Sequence, residues 1–163
     1  MTTRQQYLSV RRLLLAGSAA VLSMAFASPA EAQLSLRGTA NPTINITTGV
    51  AGGSMTSVVN TSSSIRYSRP PVIAKLTVRT SCPSQSFHLS VVATGVTRGV
   101  AAPEVDLTDG MLAVDLITSI PRTGIWATAT PTLRYTASAT FSDGDSAEEG
   151  NDVHTVTYTL QAQ

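Results

Sequence analysis

Apolar and polar residues alternate with period two through most of this chain, and most clearly near its end. Leu133, Tyr135, Ala137, Ala139 and Phe141 are apolar, while Arg134, Thr136, Ser138 and Thr140 between them are polar. Val156, Tyr158 and Leu160 then alternate with Thr155, Thr157, Thr159 and Gln161. Successive strand side chains point to opposite faces, so a segment of this kind has one face to bury and one to wet. Thr, Val, Tyr and Phe suit such a half-buried pleat, and the intervening Gly, Asp and Asn mark a turn. The stretch predicts a long antiparallel hairpin.

A second alternating run covers residues 33–47. Gln33, Ser35, Arg37, Thr39, Asn41, Thr43, Asn45 and Thr47 are polar, while Leu34, Leu36, Gly38, Ala40, Pro42, Ile44 and Ile46 are not. Gly38 and Pro42 are expected to break the run into two pieces. One side of this arm must find an apolar groove. Either it forms the first strand of its own domain, or it is donated to a neighbouring subunit, where main-chain hydrogen bonds supply affinity and alternate side chains fill pockets. Leu34, Leu36, Ile44 and Ile46 are the candidate donor residues.

Between these runs the same periodicity recurs. Residues 48–71 are rich in Gly, Ser and Thr and predict a linker or weak edge strands such as 55–59 and 65–67. Val72, Ala74, Leu76 and Val78 alternate with polar neighbours or Ile73, and after a turn at Cys82 and Pro83 so do Phe87, Leu89, Val91 and Ala93. The two runs predict a second hairpin, with His88 on its solvated face. Leu112, Val114 and Leu116 are expected to face inward from a further strand, after an Asp109-Gly110 turn. Ile125 and Trp126 mark a short run, with Trp126 a core or sheet-edge aromatic. Short strands at this spacing, with almost no helical periodicity, predict an all-β fold: an antiparallel immunoglobulin-like β-sandwich whose main body spans residues 72–163.

The start of the chain speaks to compartment. Arg4, Arg11 and Arg12 precede an uncharged apolar run, and Ala30-Glu31-Ala32 supplies a small-x-small cleavage pattern. Residues 1–32 are read as a secretory signal peptide cut after Ala32. Arg11 and Arg12 before Leu13, Leu14 and Leu15 partly match a twin-arginine signal, but the ordinary secretory reading is preferred. The apolar run is shorter than the roughly 20 residues that span a bilayer, so no transmembrane anchor is expected. The protein is expected in the periplasm, at the cell surface or outside the cell. Beyond residue 32 there are eight cations and nine carboxylates, which gives no electrostatic reason to expect nucleic acid as a partner.

Chemistry is sparse. Cys82 is the one cysteine, so an intramolecular disulfide is excluded. It is read as a small turn residue, with an intermolecular disulfide or a modified thiol as the sharper alternatives. A catalytic thiol needs a base brought to it, and neither His88 nor His154 carries a supporting motif. Glu104 with Asp106 or Asp115 could serve a hydrolase only if the fold sets them at a defined separation. Five carboxylates (Asp143, Asp145, Glu148, Glu149 and Asp152) crowd residues 142–152. The spacing resembles a calcium loop but fails an EF-hand, because Glu148 stands where Gly is needed and His154 where the bidentate Glu is needed. It is read as a solvated acidic loop. Asn45-Ile46-Thr47 and Asn60-Thr61-Ser62 match the glycosylation sequon, as triplets in a Thr-rich chain do by chance. Arg66, Arg69, Lys75 and Arg79 form a basic cluster, which fits either head-to-tail packing against the acidic loop or ordinary solvated strand faces. No catalytic residue, cofactor or metal is expected.

The arm after a signal peptide, the strand and turn from Leu76 to Phe87, and the ending Thr155-Val156-Thr157-Tyr158-Thr159-Leu160 resemble the secreted β-sandwich subunits of bacterial surface fibres, the spore coat protein U-like and chaperone-usher pilin-like families. The resemblance implies a sandwich lacking one strand, which a periplasmic chaperone and then the next subunit's N-terminal arm supply. Such pilins commonly hold a disulfide, which Cys82 alone cannot form. The expected function is that of an exported non-enzymatic structural or adhesive surface subunit, self-associating or joined to a related subunit. The alternatives are a secreted monomeric binding module, for carbohydrate through Trp126 or an exposed tyrosine, and a secreted hydrolase.

Overall fold

Among the described residues there are ten strands: β1 (Gln33–Gly38), β2 (Val58–Ser68), β3 (Ala74–Ser81), β4 (His88–Thr94), β5 (Val100–Ala101), β6 (Val105–Asp106), β7 (Val114–Ile120), β8 (Thr128–Ala129), β9 (Thr132–Ser138) and β10 (Thr155–Ala162). The computed structural model describes residues 32–46, 57–68, 70–122, 127–139 and 151–163. Residues 1–31 of the expected signal peptide, the Ile125-Trp126 run and the acidic residues 143–149 lie outside these. Among the described residues there is no helix.

The strands form two antiparallel sheets. One runs β1-β2-β9-β4-β6, with β8 also beside β2, and the other runs β10-β3-β7-β5. Their inner faces share one core. Ile65, Tyr67, Val91, Ala93, Leu133 and Tyr135 come from the first sheet, and Ala74, Leu76, Val78, Leu116, Ile117 and Ile120 from the second. Each fully buried Leu or Ile stabilises the fold by roughly 1.5–3 kcal/mol, so this apolar layer is what holds the sheets together as a sandwich.

Both expected hairpins are absent, for the same reason. β9 pairs with β2 on one side and β4 on the other, while β10 pairs with β3. β3 and β4 likewise sit in different sheets. Alternation states that one face of a strand is buried; it does not say which strand takes the hydrogen-bonding edge. The 82–87 connection therefore crosses from sheet to sheet, and β9 and β10 belong to different sheets.

Two further expectations are corrected. Residues 58–68 are neither linker nor edge: β2 lies between β1 and β9, so the sandwich begins well before residue 72. Its register against β9 slips between Asn60 and Ser63, where Asn60 Oδ1 accepts hydrogen bonds from the Ser62 amide and hydroxyl at 2.9 and 2.8 Å. A short polar side chain that bonds its own backbone stabilises a bulge of this kind. On β7 the inward set is Leu116, Ile117 and Ile120, whereas Leu112 and Val114 are exposed. Register shifts between β3 and β7 around Leu76 place two consecutive β7 residues inside, which period two cannot describe.

Candidate functional site

β1 is the outermost strand of the first sheet. It pairs antiparallel with β2 along its whole length, from Gln33↔Ser68 to Gly38↔Ser63. A strand at a sheet edge is held by one ladder only. Its side chains add little, since Leu34 alone is half-buried against the core and Leu36 is 41% exposed. The ladder ends at Gly38, whose φ of +76° belongs to the left-handed region. A Cβ there would stand 2.2 Å from the Ser62 carbonyl oxygen, so only glycine permits this approach. Beyond it the Thr39 amide donates to Ser62 O at 3.0 Å and the Ser63 hydroxyl donates to Thr39 O at 2.6 Å.

The chain then runs without a ladder through 41–46, with Pro42, Ile44 and Ile46 half-buried and Asn41, Thr43 and Asn45 exposed. Ile44 packs on the core. The candidate donor residues thus divide: Leu34, Ile44 and Ile46 are partly sheltered within their own chain, and Leu36 is outside. An open depression of about 430 Å³ lies along this edge, lined by Gln33, Leu34, Ser35, Arg37, Arg66 and Ser68. At one edge of the second sheet β10 is the other long edge strand, and among the described residues it pairs only with β3.

The carboxylates considered for hydrolysis have separate partners. Glu104 accepts a hydrogen bond from the Ser90 hydroxyl at 2.7 Å, which holds its carboxyl below the usual range, and Arg134 stands 3.8 Å away. Asp115 pairs with Lys75 at 2.8 Å in the other sheet, and Asp106 is exposed on β6. His88 is exposed, as expected.

Cys82 occupies a turn closed by the Gln85 amide donating to Cys82 O at 3.0 Å, and it is 1% exposed. Sequence reasoning did not find its neighbours. Ser81↔Thr155 is the last pair of the β3/β10 ladder, so Cys82 and His154 face one another one step beyond it. Asp152 follows on the same side, and one ligand atom from each of Cys82, Asp152 and His154 lies within 4.8 Å of the other two. Burial pushes the Cys82 thiol pKa up, helped by the charge of Asp152. Burial pushes the His154 imidazole down, against the opposing pull of Asp152 and Asp109. A buried, neutral thiol is a poor nucleophile. Comparison of the chain with protein-family models, with curated proteins and with solved structures finds no match.

Proposed function

We propose that this protein is an exported, non-enzymatic structural or adhesive surface subunit, built on an immunoglobulin-like β-sandwich, that self-assembles by strand exchange through its N-terminal arm. The carrying observation is β1: a complete main-chain ladder on β2 combined with a single half-buried side chain. A strand held by its backbone is replaceable by the same strand of another copy with nearly the same hydrogen bonds and burial. Exchange would vacate the β2 edge for the incoming arm, and Ile44 and Ile46 would bring further apolar side chains. The basic, apolar and small-residue pattern of 1–32 supports export, and a periplasmic chaperone is the partner suited to cover a vacant edge before assembly. The resemblance to pilin-like subunits supports the same reading. β1 paired within its own chain is the observation that favours a monomeric binding module instead.

The deciding experiment measures the solution mass of residues 33–163 and of a chain lacking 33–47. Strand exchange predicts concentration-dependent or SDS-resistant oligomers for the first, and for the second a monomer that binds an added arm peptide. A stable monomer that simply unfolds on truncation makes β1 an ordinary first strand and advances the binding-module reading.

A further inference from the structure

We propose that Cys82, Asp152 and His154 form a zinc-binding site at the open end of the β3/β10 ladder. The three side chains arrive from segments 70 residues apart, Cys82 directly after β3 and the other two directly before β10. Asp152 and His154 are sheltered while Val153 between them is 75% exposed, so both donors lie on the same side of the 152–154 segment as Cys82. Their ligand atoms lie within 4.8 Å of one another. Tetrahedral zinc with sulfur at about 2.3 Å and nitrogen or oxygen at about 2.0–2.2 Å sets its ligands roughly 3.3–3.6 Å apart. Closing the site takes shifts on the order of 1 Å, within the reach of side-chain rotation.

The surroundings already orient the donors. The Asp152 carboxylate accepts from the Phe87 amide at 2.8 Å and the Ser86 amide at 3.0 Å, which fixes its plane and leaves lone pairs for a cation. Thr80 Oγ1 is 3.2 Å from His154 Nδ1 and restrains the ring. Asp109 Oδ1 accepts from the Cys82 amide at 2.7 Å, which holds the backbone that carries the thiol. Outer partners of this kind position metal ligands and raise their basicity. The donor set selects the metal: thiolate with imidazole favours zinc over calcium or magnesium, which want oxygen alone. Binding releases the thiol proton to solvent, and a fourth position remains for water.

The test is a titration of the purified, reduced, metal-free protein with Zn²⁺, and with Co²⁺ as a spectroscopic stand-in. The expected result is one ion per chain, a sulfur-to-cobalt charge-transfer band, and a rise in melting temperature with Zn²⁺. Cys82→Ser should abolish the band, and His154→Gln should weaken Zn²⁺ binding at least tenfold and remove the rise in melting temperature. If Cys82→Ser fails to fold, His154→Gln, at a half-buried surface position, carries the test by itself. No Zn²⁺ binding, or binding unchanged in His154→Gln, overturns the proposal; the second outcome would assign the ion to carboxylates elsewhere.

Discussion

Tyr135 Oη and Tyr158 Oη lie 2.6 Å apart and share a hydrogen bond between the two sheets, one ring coming from β9 and the other from β10. Each phenol satisfies its partner where water is scarce. Removing one hydroxyl strands the other, whereas removing both leaves an apolar contact of nearly the same shape. Tyr135→Phe or Tyr158→Phe alone should therefore cost about 1–3 kcal/mol, and the double variant less than either. Urea melts of the four proteins in a double-mutant cycle read the coupling directly; strict additivity would show that the pair is not a bond.

The same pair sets an alkaline limit. Burial is the largest cause holding both phenols above the ordinary tyrosine value of 10.0, and burial raises Tyr67 likewise. The folded state thus keeps protons that the unfolded chain releases. Their contribution is fully present below about pH 10 and is lost as pH rises beyond it toward the folded values. Unfolding free energy should fall as pH rises above about 10, and the Tyr135→Phe/Tyr158→Phe variant should fall less. An equal fall in both proteins would place the alkaline sensitivity elsewhere.

Core and arm should respond to truncation on different scales. Leu133 is wholly buried and Leu36 is 41% exposed, although both occupy apolar positions of alternating runs. Leu133→Ala should cost about 2–5 kcal/mol through lost transfer energy and a cavity between the sheets. Leu36→Ser should stay within about 0.5 kcal/mol. Chemical denaturation measures both, and a large cost at Leu36 would mean that β1 is anchored by its side chains after all.

Period two made the strands legible because it is a local property: Leu76 with Val78, Val91 with Ala93, and Leu133 with Tyr135 are buried at the spacing their sequence requires. Strand pairing is not local. Tyr135 and Tyr158 read equally well as neighbours in a hairpin and as partners across a sandwich, and the choice rests on which edges β2, β3 and β4 offer. Bulges defeat parity too, as the consecutive buried Leu116 and Ile117 show. The Cys82, Asp152 and His154 cluster was hidden for the same reason, since only the β3/β10 register brings position 82 beside 154. The arm was legible as a strand, but its place at the edge of its own sheet depends on β2 having a free side.

Gly38 offers the sharpest handle on that arm. With φ at +76° and the Ser62 carbonyl oxygen 2.2 Å from where a Cβ would sit, an alanine cannot be accommodated unless the end of β1 moves off β2. The left-handed conformation alone costs a non-glycine residue about 1–2 kcal/mol, and the contact adds to it. Because β1 contributes one half-buried side chain, the damage should stay local. In Gly38→Ala, hydrogen exchange at residues 34–37 should quicken by at least tenfold while β9 amides keep their protection, since local opening needs less free energy than global unfolding. A released β1 is also one available to a second copy, so the same variant should form more oligomer at a given concentration if arms are exchanged. Loss of protection throughout both sheets would show that β1 cannot leave without the fold, and strand exchange would then have no separable strand to use.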